Sequence, residues 1–336
     1  MAGQDKPLAV TMGDPAGCGP QITVTAWKQR NALNLAPFFV LADPGLFSSD
    51  VPVVEISAPS EASNVFQTAL PVFPIDLAGV DDLEVGTPRS DYAAAITSSI
   101  AKATHLCLSG EASAVVTNPI NKAVLYEAGF SFPGHTEFIA DLCSDEVTQI
   151  KPVMMLVGGG LRVALASIHV PLMRVLDHLT PQALSETARI THKALQDSFG
   201  LRAPRIAFSG LNPHAGEDGT IGTEERDIIN PVAEALRSEG LNVSNARPGD
   251  TVFHEALSGK YDAVIAMTHD QGLIPVKTLD MWGGVNTTLG LPIIRTSPDH
   301  GTAYEAAANG DCRADSLIAA LTLATEMAQT RNAAHG

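Results

Sequence analysis

Three histidines, His169, His214 and His269, each follow a short apolar run of the sequence and stand among turn-forming or polar residues. Three neutral imidazoles can hold a divalent cation and leave one position open for a substrate, which is what a catalytic metal site needs. The three residues are far apart in the chain, so the sequence contains no short metal-binding motif. Each histidine taken alone also fits a capped or packed core residue, and their shared position favours metal binding.

His135 has a different setting, between Gly134 and the pair Thr136-Glu137. This segment predicts the first turn of a helix, where backbone N–H groups and the helix dipole favour an anion. The alternative is that Thr136 only caps the helix and that Glu137 is only an acid at a helix start.

Lys277, Asn286 and Arg295 lie in otherwise apolar and glycine-rich sequence near the carboxyl end of the chain. Arginine can bind phosphate or carboxylate with two parallel hydrogen bonds, and lysine acts as a point charge. In a chain with a formal net charge of −16, basic residues inside an apolar segment indicate an anionic partner. That partner is either a substrate or a structural carboxylate such as Asp270 or Asp299.

Two glycine-containing loops follow apolar runs. Residues 13–20, GDPAGCGP, match neither the dinucleotide fingerprint nor a P-loop, and they indicate a close approach of the backbone to a ligand or a neighbouring chain, or a tight turn. Residues 298–303, PDHGTA, lead into an alanine-rich helical stretch and either cradle a nucleotide or start the helix.

Short apolar runs that end in Gly, Pro, Asn or His clusters predict buried strands, because they are too short for helices and several are rich in β-branched residues. These runs are Leu8–Met12, Phe38–Ala42, Ala114–Val116, Val163–Ile168, Ile206–Phe208 and Ala263–Met267. The helical stretches between them are Ala93–Leu108, Pro181–Phe199, Ile229–Ser238 and Ala314–Met327. This alternation predicts an open α/β sheet, whose carboxyl edge, where the polar clusters fall, is the ligand-binding edge.

The composition argues against several classes of protein. An acidic surface repels nucleic acid and anionic membranes. The four cysteines form no C-x-x-C pair, which predicts reduced thiols in a cytoplasmic protein. The N-terminus has no apolar signal segment, and no apolar run approaches the roughly 18 residues of a membrane span. Aromatic residues make up only 5%, so the core is expected to consist of Val, Ile, Leu and Ala, as in a buried parallel sheet.

Several longer motifs resemble one known family over essentially the whole chain, the 4-hydroxythreonine-4-phosphate dehydrogenases of vitamin B6 biosynthesis. The motifs are TMGDPAGCGP at 11–20, TNPINK at 117–122, FPGHTEFIADL at 132–142, HVPL at 169–172, GLNPHAGEDGTIGTEE at 210–225, GDTVF at 249–253, AMTHDQGLIPVK at 266–277 and GGVNTTLGLPIIRTSPDHGTA at 283–303. The resemblance implies a fold like that of isocitrate and isopropylmalate dehydrogenases, with two α/β halves flanking a central cleft. The expected halves are residues 1–125 with 301–336, and residues 126–300.

The resemblance also implies a homodimer with the active site at the subunit interface, NAD or NADP as cofactor, and a divalent metal such as Zn, Mg or Co. It assigns metal binding to His169, His214 and His269, and substrate binding to His135, Thr136, Lys277, Asn286 and Arg295. It points to Asp299, His300, Gly301 and Thr302 for nucleotide binding, and to Asp250 and Asp270 as candidate general bases.

The implied reaction oxidises the C3 hydroxyl of 4-phosphooxy-L-threonine, and the product then loses carbon dioxide. The sequence departs from the family pattern at Gln21, at Thr268, in the loop 217–220 and around Lys277. These departures leave phosphorylated threonate or erythronate open as substrates. The alternative from another class is a metal-dependent lyase or hydrolase that uses the same histidines without a nucleotide.

Overall fold

Buried apolar segments, separated by turns, form the strands of the computed structural model, which describes residues 6–47, 51–145 and 149–335. The strands are β1 (Leu8–Thr11), β2 (Phe38–Ala42), β3 (Val53–Glu55), β4 (Leu70–Pro74), β5 (Val115–Val116), β6 (Val153–Gly158), β7 (Leu161–Leu165), β8 (Arg205–Ser209), β9 (Asn242–Arg247), β10 (Ala263–Ala266), β11 (Val285–Leu289) and β12 (Arg295–Pro298). The helices are α1 (Gly19–Gln29), α2 (Ala62–Val65), α3 (Ala93–Leu108), α4 (Lys122–Glu127), α5 (His135–Cys143), α6 (Val175–His178), α7 (Pro181–Asp197), α8 (Asn230–Ser238), α9 (Val252–Leu257), α10 (His269–Leu279), α11 (Tyr304–Asn309) and α12 (Asp315–His335). In these described ranges no helix is long and apolar enough to cross a membrane.

The chain divides into two compact units, which differ in extent from the halves expected from the sequence. The first unit comprises residues 1–152 and 291–329, and the second comprises residues 153–290 and 330–336. Residues 126–152 and 291–300 therefore belong with the first unit. As a result, His135 and Arg295 lie in the first unit, whereas the three strand-end histidines lie in the second.

The first unit contains a parallel sheet in the order β3-β4-β2-β1-β5-β12. Its inner strands are apolar on both faces; all five residues of β2, Phe-Phe-Val-Leu-Ala, are buried. Such continuous apolar strands are typical of a sheet covered by helices on both sides. The predicted α/β class with a buried parallel sheet is confirmed in this unit.

The second unit contains a mixed sheet in the order β11-β6-β7-β10-β8-β9, in which β6 runs antiparallel to both of its neighbours. The parallel arrangement suggested by the composition does not extend to β6, because β6 and β7 are joined by only Gly159 and Gly160. Both glycines have positive φ, 58° and 85°, which a two-residue hairpin turn requires and which glycine adopts without steric cost. From β7 onward, through β10, β8 and β9, neighbouring strands are parallel.

All six predicted strands and all four predicted helices are present, with ends shifted by a few residues or fewer except at α12, which extends beyond its predicted end. Helix α7 shows why the beginning of a helix can be predicted from neighbouring residues. The Thr180 side chain accepts a hydrogen bond from the backbone N–H of Ala183, and Pro181 occupies the first turn, where its missing N–H costs nothing. Its buried residues Leu184 and Leu195 pack in the core that contains β8. All four cysteines are free thiols, as predicted.

Candidate active site

The three strand-end histidines follow three neighbouring strands of the second unit. His169 follows β7, His269 follows β10, and His214 follows β8. These strands are adjacent in the order β7-β10-β8 and run parallel, so their carboxyl ends lie at one edge of the sheet. The predicted location of the three histidines is therefore correct at the level of the sheet, and this edge is where open α/β sheets bind ligands.

Two of these histidines are close to each other. The ring centroids of His169 and His269 lie 5.5 Å apart with the ring planes at 45°. His269 Nδ1 lies 2.8 Å from Asp270 Oδ1, a contact that orients the ring through Nδ1 and does not involve Nε2. A carboxylate behind an imidazole is the usual support of a metal-binding histidine. His169 is exposed and His269 is partly exposed, so both can be reached from solvent.

Hydrogen bonds tie the loops at this edge together. Ser167 Oγ donates to the carbonyl of Met267 at 2.6 Å, which joins the loop after β7 to the loop after β10. Gln271 Oε1 accepts from Met267 N at 2.8 Å, and Gln271 Nε2 donates to the carbonyl of Gly210, after β8, at 2.7 Å. Sequence reasoning missed both residues: Ser167 lies inside the predicted apolar run Val163–Ile168, and Gln271 belongs to the polar cluster that follows the run Ala263–Met267.

His214 stands in a left-handed turn that the sequence did not predict. His214, Ala215, Gly216, Glu217 and Asp218 have φ angles of 52°, 53°, 78°, 42° and 54°. For a residue other than glycine, this conformation costs roughly 1–2 kcal/mol of conformational free energy. Four of the five residues are not glycine, so the turn is costly and must be held by contacts outside it.

Within the described residues of one chain, the candidate metal ligands do not form a recognisable group of three. Among the residues that the structure describes, no group of three or more His, Cys, Asp or Glu side chains is placed to hold a metal ion. The adjacent imidazoles of His169 and His269 fit a divalent transition metal by donor type. Metal binding by His169, His214 and His269 together stays a prediction.

Lys277 and Asn286 do not lie at the histidine edge itself. Asn286 pairs in register with Leu156, which in turn pairs with Val163, the middle residue of β7. Lys277 lies in the last turn of α10, the helix that begins with His269 at the carboxyl edge. Lys277 is therefore separated from this edge by most of the length of α10, and Asn286 lies level with the middle of β7.

The two candidate general bases lie at the histidine edge. Asp270 is exposed and contacts His269, as described above. Asp250 is exposed and follows Gly249, whose position is close to Gln271: a Cβ on Gly249 would lie 3.0 Å from Gln271 Nε2. Asp270 therefore lies beside one candidate metal ligand, and the residue before Asp250 lies near the glutamine that links the loops at this edge.

The first unit contains a buried cation at the start of β12. Arg295 is only 3% exposed, and its Nε and Nη2 donate to Thr117 Oγ1 at 3.2 and 2.7 Å. Burial lowers the pKa of Arg295 to about 10, while the nearby Glu137 carboxylate acts in the opposite direction. The guanidinium is still charged at neutral pH, and Thr117, which follows β5, holds it in place.

His135 begins α5, as predicted, and is close to this cation. Burial, with smaller contributions from Arg295 and Lys122, holds the pKa of His135 well below its usual range, so the imidazole is neutral. Its Nε2 is buried and has no hydrogen-bond partner among the described residues. Buried polar atoms are nearly always paired, so an unpaired one beside cations fits a site that a ligand completes.

Lys122 is the cation that sequence reasoning missed here. A Cβ on Gly134 would lie 3.2 Å from Lys122 Cε and 3.4 Å from its Nζ, which places the lysine against the turn before His135 and Thr136. The signal was its position at the end of the TNPINK motif. Arg295 and Lys122 thus place two cations beside His135 and Thr136, with the Glu137 carboxylate next to them, and we call Arg295, His135, Thr136 and Lys122 the anion pocket.

The loop predicted to hold a nucleotide packs against the first glycine loop. Cys18 N donates to the carbonyl of Thr302 at 2.8 Å, and a Cβ on Gly17 would lie 2.8 Å from that oxygen. The close backbone approach predicted for residues 13–20 is therefore an approach to another loop of the same chain. Apart from its own chain neighbours, Gly301 has no described atom within 4 Å of the position of a Cβ, so there is open space on that side of the loop.

Hydrogen bonds to other residues of the first unit stabilise the rest of the loop 298–303. Asp299 N donates to Ser316 Oγ at 3.0 Å, and His300 Nδ1 lies 2.9 Å from the carbonyl of Gly301. Asp14, which sequence reasoning missed, is buried and accepts from the Tyr304 hydroxyl at 2.6 Å. Burial raises the pKa of the Asp14 carboxyl, and its hydrogen bond with Tyr304 connects the first glycine loop to the start of α11.

The chain was compared with known proteins. The model of the family described as pyridoxal phosphate biosynthetic protein PdxA matches residues 30–324. A 4-hydroxythreonine-4-phosphate dehydrogenase from Methylorubrum populi is 50% identical over 98% of this chain and 96% of its own length, and one from Maricaulis maris is 48% identical over 98% and 99%. The crystal structure of a 4-hydroxythreonine-4-phosphate dehydrogenase from Klebsiella pneumoniae is 37% identical and superposes with a TM-score of 0.87 over 97% of this chain and 100% of that chain. These matches confirm the resemblance: the chain belongs to the PdxA family of pyridoxal phosphate biosynthetic proteins.

Proposed function

We propose that this chain is a cytoplasmic dehydrogenase that oxidises the C3 hydroxyl of 4-phosphooxy-L-threonine with NAD or NADP. The product, 2-amino-3-oxo-4-phosphooxybutanoate, then loses carbon dioxide to give 3-amino-2-oxopropyl phosphate for pyridoxine 5'-phosphate synthesis. Membership of the PdxA family supports the type of reaction. The structural observation that carries the proposal is the anion pocket, since a buried arginine beside an unpaired neutral imidazole suits a phosphate or carboxylate.

The basic residues bind the two anionic ends of the substrate. Arg295, His135 and Thr136, together with Lys277 and Asn286, divide the phosphate and the carboxylate between them. Because His135 is neutral, it can donate one ring N–H without adding charge. Thr117 holds the Arg295 guanidinium in position for this contact.

The histidine edge provides the remaining groups of the reaction. His169, His214 and His269 would hold a Zn, Mg or Co ion, which when bound lowers the pKa of the substrate hydroxyl and polarises the resulting ketone. Asp299, His300, Gly301 and Thr302 would hold the nicotinamide nucleotide, which supplies the two-electron acceptor. Asp270 orients His269, and Asp250 or Asp270 takes the proton of the hydroxyl.

A second copy of the chain is expected to complete the site. Directly after His169, three large apolar side chains face solvent: Leu172 is 78% exposed, Met173 93% and Leu176 49%. Clustered exposed apolar side chains mark an interaction surface. A homodimer that covers this segment would also bring side chains of a second chain to the histidines of each chain.

The test measures the activity of the protein on a panel of substrates, using the absorbance of reduced nicotinamide to follow each reaction. The full-length protein is supplied with Zn, Mg or Co and with either NAD or NADP, and it is given 4-phosphooxy-L-threonine, 4-phosphothreonate or 4-phosphoerythronate. Our proposal expects metal-dependent nicotinamide reduction with the amino acid at the highest kcat/KM.

Two results would overturn it. A higher kcat/KM for threonate or erythronate phosphate, which lack the amine, would make the enzyme a dehydrogenase of that substrate class. Loss of substrate with no nicotinamide reduction in any combination, together with release of phosphate or a cleaved carbon chain, would instead indicate a metal-dependent hydrolase or lyase.

A further inference from the structure

The left-handed turn that carries His214 is closed by one buried carboxylate. Glu225 is only 2% exposed. Its Oε1 accepts from the backbone N–H of Asn212 at 2.7 Å, and its Oε2 accepts from Asn212 Nδ2 at 2.9 Å. A Cβ on Gly216 would lie 2.6 Å from Glu225 Oε2, so the carboxylate fills the space on the inner side of the turn.

The surrounding residues leave the turn little freedom. Glu224 Oε2 also accepts from Asn212 Nδ2, at 2.7 Å. A Cβ on Gly222 would lie 2.3 Å from the same nitrogen, and a Cβ on Gly210 would lie 2.8 Å from the Cα of Ala215. The turn is therefore packed against Gly210 and Gly222, which flank it, and the Glu225 carboxylate is hydrogen-bonded to Asn212, just before the turn.

We infer that Glu225 is a positioning residue that presents His214 to the divalent cation; the inference rests on the metal assignment in the proposed function. Left-handed backbone is unfavourable for His214, Ala215, Glu217 and Asp218, so this conformation persists only while external contacts stabilise it. The two hydrogen bonds to Asn212 and the contact with Gly216 are such contacts. Without them the turn can relax to right-handed or extended conformations, which direct the His214 imidazole elsewhere.

The experiment titrates the full-length protein with Co²⁺ and follows the visible absorption band of the bound ion. Four proteins are compared with the wild type: His214→Ala, Glu225→Gln, Glu225→Gln with Glu217→Gly, and Glu234→Gln. Glutamine keeps the volume of Glu225 but replaces one acceptor oxygen with an N–H₂ group. Glu234 is exposed on α8 and serves as the matched control. Melting curves of the metal-free proteins are recorded in parallel.

We expect Glu225→Gln to bind Co²⁺ at least tenfold more weakly and with an altered band, and Glu234→Gln to match the wild type. Glycine adopts left-handed backbone without cost, so Glu217→Gly should recover a substantial part of the lost affinity. Co²⁺ affinity of Glu225→Gln within twofold of the wild type would overturn the inference. So would a loss that Glu217→Gly does not recover and that accompanies a lower melting temperature, because Glu225 would then act only on the fold. If His214→Ala binds Co²⁺ as tightly as the wild type, the metal assignment fails, and the inference fails with it.

Discussion

Replacing Arg295 with lysine tests the anion pocket, because it keeps a positive charge and removes the planar fork of N–H donors. In the wild type, the Nε and Nη2 atoms of Arg295 both donate to Thr117 Oγ1, so the guanidinium is held in a fixed orientation. Losing one hydrogen bond between a charged group and the substrate costs about 1.5–3 kcal/mol. The KM for 4-phosphooxy-L-threonine should therefore rise roughly ten- to a hundredfold, with a smaller change in kcat.

The pH dependence sharpens this prediction. Burial lowers the pKa of Arg295 to about 10, and the guanidinium remains charged over the neutral range. A lysine starts from a pKa of about 10.4, so the same burial brings its titration closer to neutral pH. The KM of Arg295→Lys should consequently rise with pH above neutrality, whereas the KM of the wild type should show no such rise, because the guanidinium stays protonated.

Initial-rate kinetics and melting curves check the outcome. The control is Arg89→Lys, since Arg89 is an exposed arginine of the same unit that pairs with Asp91 at 2.7 Å. It should leave KM and melting temperature unchanged, because exposed ion pairs contribute little to stability. An unchanged KM together with a lower melting temperature for Arg295→Lys would mean that Arg295 is structural and that its assignment to the substrate is wrong.

Three further predictions concern other parts of the chain. His169→Ala should weaken Co²⁺ binding at least tenfold, measured by titration calorimetry, and an unchanged affinity would remove His169 from the metal site. Met173→Asp places a charge on the exposed apolar segment and should shift the protein toward monomer in analytical ultracentrifugation; an intact dimer would show that this segment is not the interface. Folding lowers the pKa of His135 below that of the unfolded chain, so this residue destabilises the native state as pH falls through about 6.5. Melting temperatures from about pH 7.5 to pH 5.5 should therefore fall less for His135→Gln than for the wild type, and equal losses would contradict the buried neutral imidazole.

The sequence determined the elements and the general position of the histidines. The strand Phe38–Ala42 is buried on both faces, so a continuous apolar run in the sequence is enough to predict it. The start of α7 is also predictable from neighbouring residues, because Thr180 caps the helix and Pro181 occupies its first turn. Because parallel strands end at a shared edge, polar residues after such runs had to meet there. The same argument correctly placed His169 near His269.

Only the tertiary structure decided which residues hold the site in place. Three hydrogen bonds show this: Gln271 with Gly210, Arg295 with Thr117, and Glu225 with Asn212. Each joins residues from different loops or strands, which come together only when the chain has folded. The left-handed turn at His214 is the clearest case, since only one of its five central residues is glycine and local preference opposes it. A conformation that is unfavourable locally is selected by contacts that form only after distant segments have packed, and for that reason no local pattern predicts it.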